Sequence, residues 1–102
     1  MIILNDTVIV EETIHQEWLQ WLYDTHIPAV MATGCFESFQ VLTVIDSPNE
    51  GATYCVQYHT PSLEYFNKFY SNHFHKLQAV QNELFENKFV LFNTLMETVE
   101  RA

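Results

Sequence analysis

Positive charge is scarce in this chain. Lys68, Lys76, Lys88 and Arg101 are its only basic residues, against 13 acidic ones, and the first 67 positions hold none. A net charge of −9 repels phosphate backbones and anionic lipid, which argues against nucleic-acid and membrane-surface partners. The same charge favours solubility. Glycine and proline are also rare, at 2 and 3 residues. That scarcity argues against linkers, low complexity and disorder, and one domain over residues 1–102 is expected. No apolar run approaches the length of a membrane span. Met1 to Asp6 has no basic residue ahead of its apolar stretch, so no signal peptide and a cytoplasmic location are expected. There is no Gly-rich phosphate loop, no nucleophile elbow and no Ser-His-Asp order. Ser38, Ser47, Ser62 and Ser71 have no basic partner that the sequence supplies. No catalytic residue can be named on these grounds.

Cysteine is limited to Cys35 and Cys55. The segment Ser47-Pro48-Asn49-Glu50-Gly51 reads as a hairpin turn, which sets Cys55 opposite residue 42 or 43. Cys35 then lies on the order of 25 Å along the neighbouring strand. A disulfide needs Cα atoms within about 7 Å, so two free thiols are expected, as in a reducing compartment.

What is present is a pattern. Alternation from Ile2 to Val10 predicts a first strand, with Leu4, Asp6, Val8 and Val10 on one face and Ile3, Asn5, Thr7 and Ile9 on the other. Thr13 is placed as the N-cap of a first helix, with Gln16 three residues on as its capping-box partner. Ile14, Trp18, Trp21, Leu22 and Thr25 follow at helical spacing. Pro28 disfavours helical geometry at Ile27, so a kink or end near His26 is expected, then a restart with Pro28 in its first turn, and Gly34 is the natural stop. Strands two and three are predicted over residues 35–46 and 52–60. Pro61-Ser62 opens a second helix striped by Leu63, Phe66, Tyr70, Leu77, Val80 and Leu84, long enough to need a bend near Ser71-Asn72. A fourth strand covers residues 88–99.

The order β-α-β-β-α-β is that of a ferredoxin-like α+β fold: a four-stranded antiparallel sheet with two helices on one face. Strands two and four carry apolar residues on both faces. Two helices cover only one face, so the other wants a partner, most simply a second copy of the chain. A homodimer through the sheet face is therefore expected.

Several segments together resemble one family. They are Asn5 in strand one, Trp18 with Trp21, the stretch His26-Ile27-Pro28-Ala29-Val30-Met31-Ala32-Thr33-Gly34-Cys35-Phe36, then Tyr54-Cys55-Val56-Gln57-Tyr58, and Lys88-Phe89-Val90. The family is an uncharacterised bacterial domain of unknown function (number four-two-eight-six) within the dimeric α/β-barrel superfamily. The resemblance spans essentially the whole chain. It implies a ferredoxin-like subunit that dimerises sheet to sheet, and it implies no substrate. The wider superfamily includes cofactor-independent monooxygenases, haem degraders, isomerases and ligand-binding or regulatory proteins. Haem degraders of that type use a first-strand Asn, a Trp and a His. Here Asn5, His73 and His75 are available, but the tryptophans sit on helix one.

Candidate site residues follow from the central strands. Asn5 and Thr7 share a face with Thr53, Cys55, Gln57 and His59 if strands one and three are neighbours. This polar patch is either internally bonded or a ligand site. His26 is expected to cap a backbone carbonyl freed by Pro28, with a pocket role as the alternative. The ligand set read from the sequence is Asn5, His26, Gln57, His59 and Tyr58, with Asn5, Gln57 and His26 meeting in one partly enclosed space. Asp6, alone among apolar neighbours, is expected at an edge or in water, since burial would raise its pKa; a general base is the alternative. Trp18 and Trp21 are read as core. His73 and His75 point about 200° apart on a helix and cannot chelate together, so neither a metal nor a cofactor is expected. The leading function is a small homodimer that binds a small organic molecule between sheet and helices. The alternatives are a cofactor-independent monooxygenase- or isomerase-type enzyme and a dimerisation module without ligand.

Overall fold

The computed structural model describes residues 1–48 and 50–100. Asn49, inside the expected hairpin turn, and Arg101 lie outside the described residues. Strand β1 runs Ile2–Val10, β2 Ser38–Thr43, β3 Ala52–Thr60 and β4 Phe89–Glu97, in the spatial order β2-β3-β1-β4. All three pairings are antiparallel. The β1 and β3 bounds and their central adjacency are as the alternation predicts. Leu42 pairs with Cys55, and both cysteines are free thiols.

Period-two alternation along β1 decides what goes where. Ile2, Leu4, Val8 and Val10 are buried, on the face that Asp6 shares by parity. Opposite them in β3 stand Thr60, Tyr58, Val56, Tyr54 and Ala52, and in β4 Glu97, Leu95, Asn93, Leu91 and Phe89. The helices cover this face. Trp18, Leu22, Ile27, Val30, Phe69 and Phe85 join Leu4, Val8, Val10, Tyr54, Val56 and Tyr58 in one buried cluster. Trp18 is fully buried, stacks on Tyr54 and donates from Nε1 to Gln81 Oε1 at 3.1 Å. It is core, with its polar edge satisfied.

The other face carries no helix. Phe92, Val90, Val44 and Leu42 stay 55%, 52%, 41% and 39% exposed there. By register, Phe92 and Val90 flank Thr7 and Ile9 while Leu42 flanks Cys55.

Both helices are interrupted where the sequence predicts, and in the same way. The first is interrupted at His26 and resumes with Pro28 in its next turn. Helix α1 (His15–Trp21) passes through a π turn (Leu22–His26) into α2 (Ile27–Ala32). Ile27 N–H donates to Leu22 O, five residues back, and Pro28, which has no N–H to give, follows at once. The wide turn takes up the proline without ending the helix. The second helix bends where its length required: α3 (Leu63–Phe69) meets α4 (His75–Leu84) through a π turn over Tyr70–Phe74. Ser62 caps α3, its Oγ accepting from Tyr65 N–H at 3.5 Å.

Thr13 does not cap α1. A backbone bond from Ile14 N–H to Glu11 O closes a turn there, and Ile14 takes the cap position without a side-chain bond. Gly34 stops α2 at φ +75 with its N–H on Met31 O. Strand β2 is shorter than the expected 35–46. Cys35 and Phe36 are instead drawn under the helices, where Phe36 packs edge-on against Phe69. At the far end Asp46 turns to φ +55.

Gly51 opens β3 at φ +90, and a Cβ there would drive into the Val10 carbonyl oxygen. Gly51→Ala is expected to cost at least about 2 kcal/mol, from backbone strain and the clash together. Urea denaturation measures this, and an unchanged midpoint would show that the hairpin end relaxes freely. Gly34→Ala, with nothing within 4 Å of its Cβ, should cost less than Gly51→Ala.

Candidate functional site

The sheet divides the expected ligand set. Asn5 and Gln57 are paired across β1 and β3, and Gln57 Nε2 donates to Asn5 Oδ1 at 3.1 Å. Asn5 Nδ2 in turn donates to Thr7 Oγ1 at 3.0 Å, and Thr7 Oγ1 lies 3.7 Å from Cys55 Sγ. On the same side His59 Nδ1 meets Ser38 Oγ at 3.1 Å. These are neighbours on the uncovered face, where the amides satisfy one another. His26 and Tyr58 lie on the helix side. Asn5, Gln57 and His26 therefore do not meet in one space, because a strand sends alternate side chains to opposite faces.

A different group gathers on the helix side. Asp6, His26, Tyr58 and Gln78 line a narrow chamber of about 10 Å³ walled by Leu4, Val30, Phe69, Phe74 and Leu77. That volume holds roughly one water. Phe74 and Gln78 are also the wall of an open cleft of about 550 Å³ between α4 and β4, whose other lining includes Asn82, Glu86, Phe89, Leu91 and Asn93. Asn93 links the two spaces: it lines the cleft and donates from Nδ2 to Asp6 Oδ1. The two π turns help shape the chamber, since His26 ends one and Phe74 ends the other.

Asp6 is not at an edge. It sits on the central strand, between Val56 and Asn93. Burial pushes its carboxyl up to about 6, and the Asn93 hydrogen bond holds it from rising further. His26 does not cap a carbonyl. Its ring stacks on Trp21 at 4.9 Å, and burial lowers its pKa to about 4, so the imidazole is neutral at pH 7. Tyr58 is only 1% exposed, and its hydroxyl is buried without a hydrogen-bond partner. Burial, then the nearby Asp6 charge, keep it a phenol. A buried unpartnered hydroxyl costs about 1–3 kcal/mol, so a group that reached it would relieve that cost.

Among the described residues no Lys or Arg lines chamber or cleft. No cluster of three His, Cys, Asp or Glu side chains could hold a metal ion there or elsewhere among them. Asp6, Gln78 and Asn93 were not in the sequence-derived ligand set. The available signal was a pair of polar gaps in apolar alternation, Asp6 in β1 and Asn93 in β4. Only the β1–β4 register shows that the gaps coincide.

The sequence matches the family described as "Domain of unknown function (DUF4286)" over residues 1–99, and the chain belongs to that family. No curated protein matches it. Its fold is shared with solved structures of low identity. An ethyl tert-butyl ether d (ethd) family protein from Bacillus halodurans is 16% identical, with a TM-score of 0.68 over 97% of this chain and 100% of that one. HapK from Hahella chejuensis is 10% identical, with a TM-score of 0.71 over 100% and 96%. A variant of MhuD, solved with two manganese protoporphyrin IX molecules bound per active site, is 15% identical, with a TM-score of 0.62 over 100% and 98%. These likenesses establish the ferredoxin-like α+β fold.

The two perturbed groups make a pH prediction. Asp6 titrates near 6 when folded against 3.8 ordinarily. As pH falls through that window the folded state takes up a proton first, so stability rises. His26 titrates near 4 when folded against 6.5 ordinarily. In its window the unfolded state takes up the proton first, so stability falls. The two contributions are similar in size and offset each other. Asp6→Asn keeps an acceptor for Asn93 and removes the buried charge. At about 1.4 kcal/mol per pKa unit, it should stabilise the protein by about 1–3 kcal/mol at pH 8. That advantage should vanish below pH 3.8, the ordinary carboxylate value. Chemical denaturation of both proteins from pH 8 to pH 4 measures the difference; a constant difference would contradict the assignment.

Proposed function

We propose that the protein is a cytoplasmic homodimer, joined through the uncovered sheet face, that binds a small organic molecule between sheet and helices. One observation carries the ligand reading: Asp6 and Tyr58, whose buried hydroxyl has no partner, both line a chamber that shares Phe74 and Gln78 with a cleft of about 550 Å³. The chamber supplies apolar walls with a few convergent polar groups, and the cleft beside it has the size of a small-molecule site. Asp6, His26, Tyr58, Gln78 and Asn93 form the ligand site. Asn5, Gln57 and His59, instead of holding ligand, belong to the dimer face, where their mutual bonds leave them ready for burial. No helix among the described residues is long and apolar enough to cross a membrane, which is consistent with the proposed location.

The dimer reading rests on the apolar residues that the helices leave uncovered. Phe92, Val90, Leu42 and Val44 are each at least 39% exposed on that face. Burying such a patch against its own copy removes it from water and satisfies the two-fold rule that one surface meets itself.

A second reading is an enzyme that moves a proton. It is favoured by the Asp6 carboxyl, held near neutrality beside the apolar walls, since general bases work best with a pKa close to the working pH. A porphyrin of the kind held by the MhuD variant does not fit beside His26, where the chamber has room for about one water.

Two measurements check the proposal. Sedimentation at micromolar concentration should give a dimer, and Phe92→Asp should give a folded monomer; a wild-type monomer would remove the dimer. For the ligand, a mixed library of acids, phenols, ketones and amines should contain compounds that shift the side-chain amide NMR signals of Asn93 and Gln78. A library that moves neither signal would remove the site.

A further inference from the structure

The lining of cleft and chamber narrows the chemistry of the ligand, an inference that rests on the ligand site proposed above. We propose that the site takes an uncharged phenol, its ring in the cleft against Phe74, Phe89 and Leu91 and its hydroxyl in the chamber between Asp6 and Tyr58.

Size selects the group that enters. The chamber of about 10 Å³ admits one water-sized group. A hydroxyl has that size; a carboxylate or a second ring does not. The cleft, at about 550 Å³, has the room for the ring, and Phe74, Phe89 and Leu91 give it apolar contacts within an otherwise polar lining.

Hydrogen-bond roles select the same group. Asp6 keeps acceptor capacity beyond the one bond it takes from Asn93. The Tyr58 hydroxyl has no partner. A ligand hydroxyl donates to the first and accepts from the second, so both are satisfied by one atom. An ether or ketone oxygen only accepts, which leaves Asp6 facing a lone pair. Charge removes the remaining candidates. The lining includes Asp6 and Glu86 and, among the described residues, no Lys or Arg, so an anion meets only repulsion. An ammonium would add a second ion to a nearly closed space and carry its desolvation cost, whereas a phenol adds none.

The test uses four probes that share one ring: para-cresol, para-methylanisole, para-toluate and para-methylbenzylamine. Each is titrated at pH 8, with the Asn93 and Gln78 side-chain signals as readout. Para-cresol should bind at least about tenfold more tightly than the other three, the size expected for a hydrogen bond to a charged acceptor. Asp6→Asn should weaken para-cresol by about tenfold and bring para-toluate to within a few-fold of it. Tyr58→Phe should weaken para-cresol and leave para-methylanisole unchanged; this second variant carries the test if the first is misfolded. Equal binding of para-cresol and para-methylanisole overturns the proposal. So does tighter binding of the acid or the amine, although shifts of the Asn93 and Gln78 signals by those probes would leave the ligand site itself standing. Failure of all four overturns the phenol class; failure of the wider library as well overturns the site.

Discussion

One constraint organises this molecule: the period of two along β1. Even-numbered residues of that strand face the helices and odd-numbered ones face away. Leu4, Val8 and Val10 therefore enter the core, and Asp6 goes with them into the space beneath the helices. Asn5 and Thr7 go to the uncovered side, where Gln57 and Cys55 meet them. A strand cannot send one side chain to the other face without a bulge or a register slip, and β1 is paired without a break on both edges over Ile2–Val10. The placing of one carboxylate inside and one amide outside is thus a matter of backbone geometry, not of side-chain preference.

That geometry gives the two faces different work. The outer face joins exposed apolar residues to an amide pair that is already satisfied, a combination suited to burial against a second copy. The inner face holds a carboxyl, a neutral imidazole and an unpartnered phenol, with an amide from β4 bonded to the carboxyl. Uncompensated polarity is costly in an apolar layer, and an occupant of the proposed site would relieve it at Tyr58. The proposed dimer contact and the proposed ligand site are separated by the thickness of the sheet, and both follow from the alternation of β1.

Much of the fold is legible in the sequence because it rests on local rules. Alternation marks β1 and β3 at their observed bounds, Ser62 marks a helix start and Gly34 a helix stop. The hairpin count places Cys55 against Leu42. What was not legible depends on more than local rules. Thr13 is a good cap in isolation, but the turn bond from Ile14 to Glu11 moves the helix start past it. Pro28 marks the interruption near His26, but not that a π turn makes it. Phe36 alternates like a strand residue and is claimed by Phe69 and Tyr58 instead. The grouping of polar side chains is only partly legible for a similar reason. Asn5 and Gln57 read as neighbours and are bonded, but polarity alone does not say which face the helices cover. Asp6 and Asn93 are the polar pair on the helix side, and their pairing is visible only once β4 is aligned with β1.

The central claim is that Asp6 is an inward, half-buried carboxyl. Its titration by carbon NMR, following the side-chain carboxyl signal of the wild-type protein with pH, tests this most directly. The account predicts a midpoint of about 6, because burial raises the carboxyl and Asn93 restrains it. A midpoint near 3.8, the ordinary value, would place Asp6 in water and contradict the account.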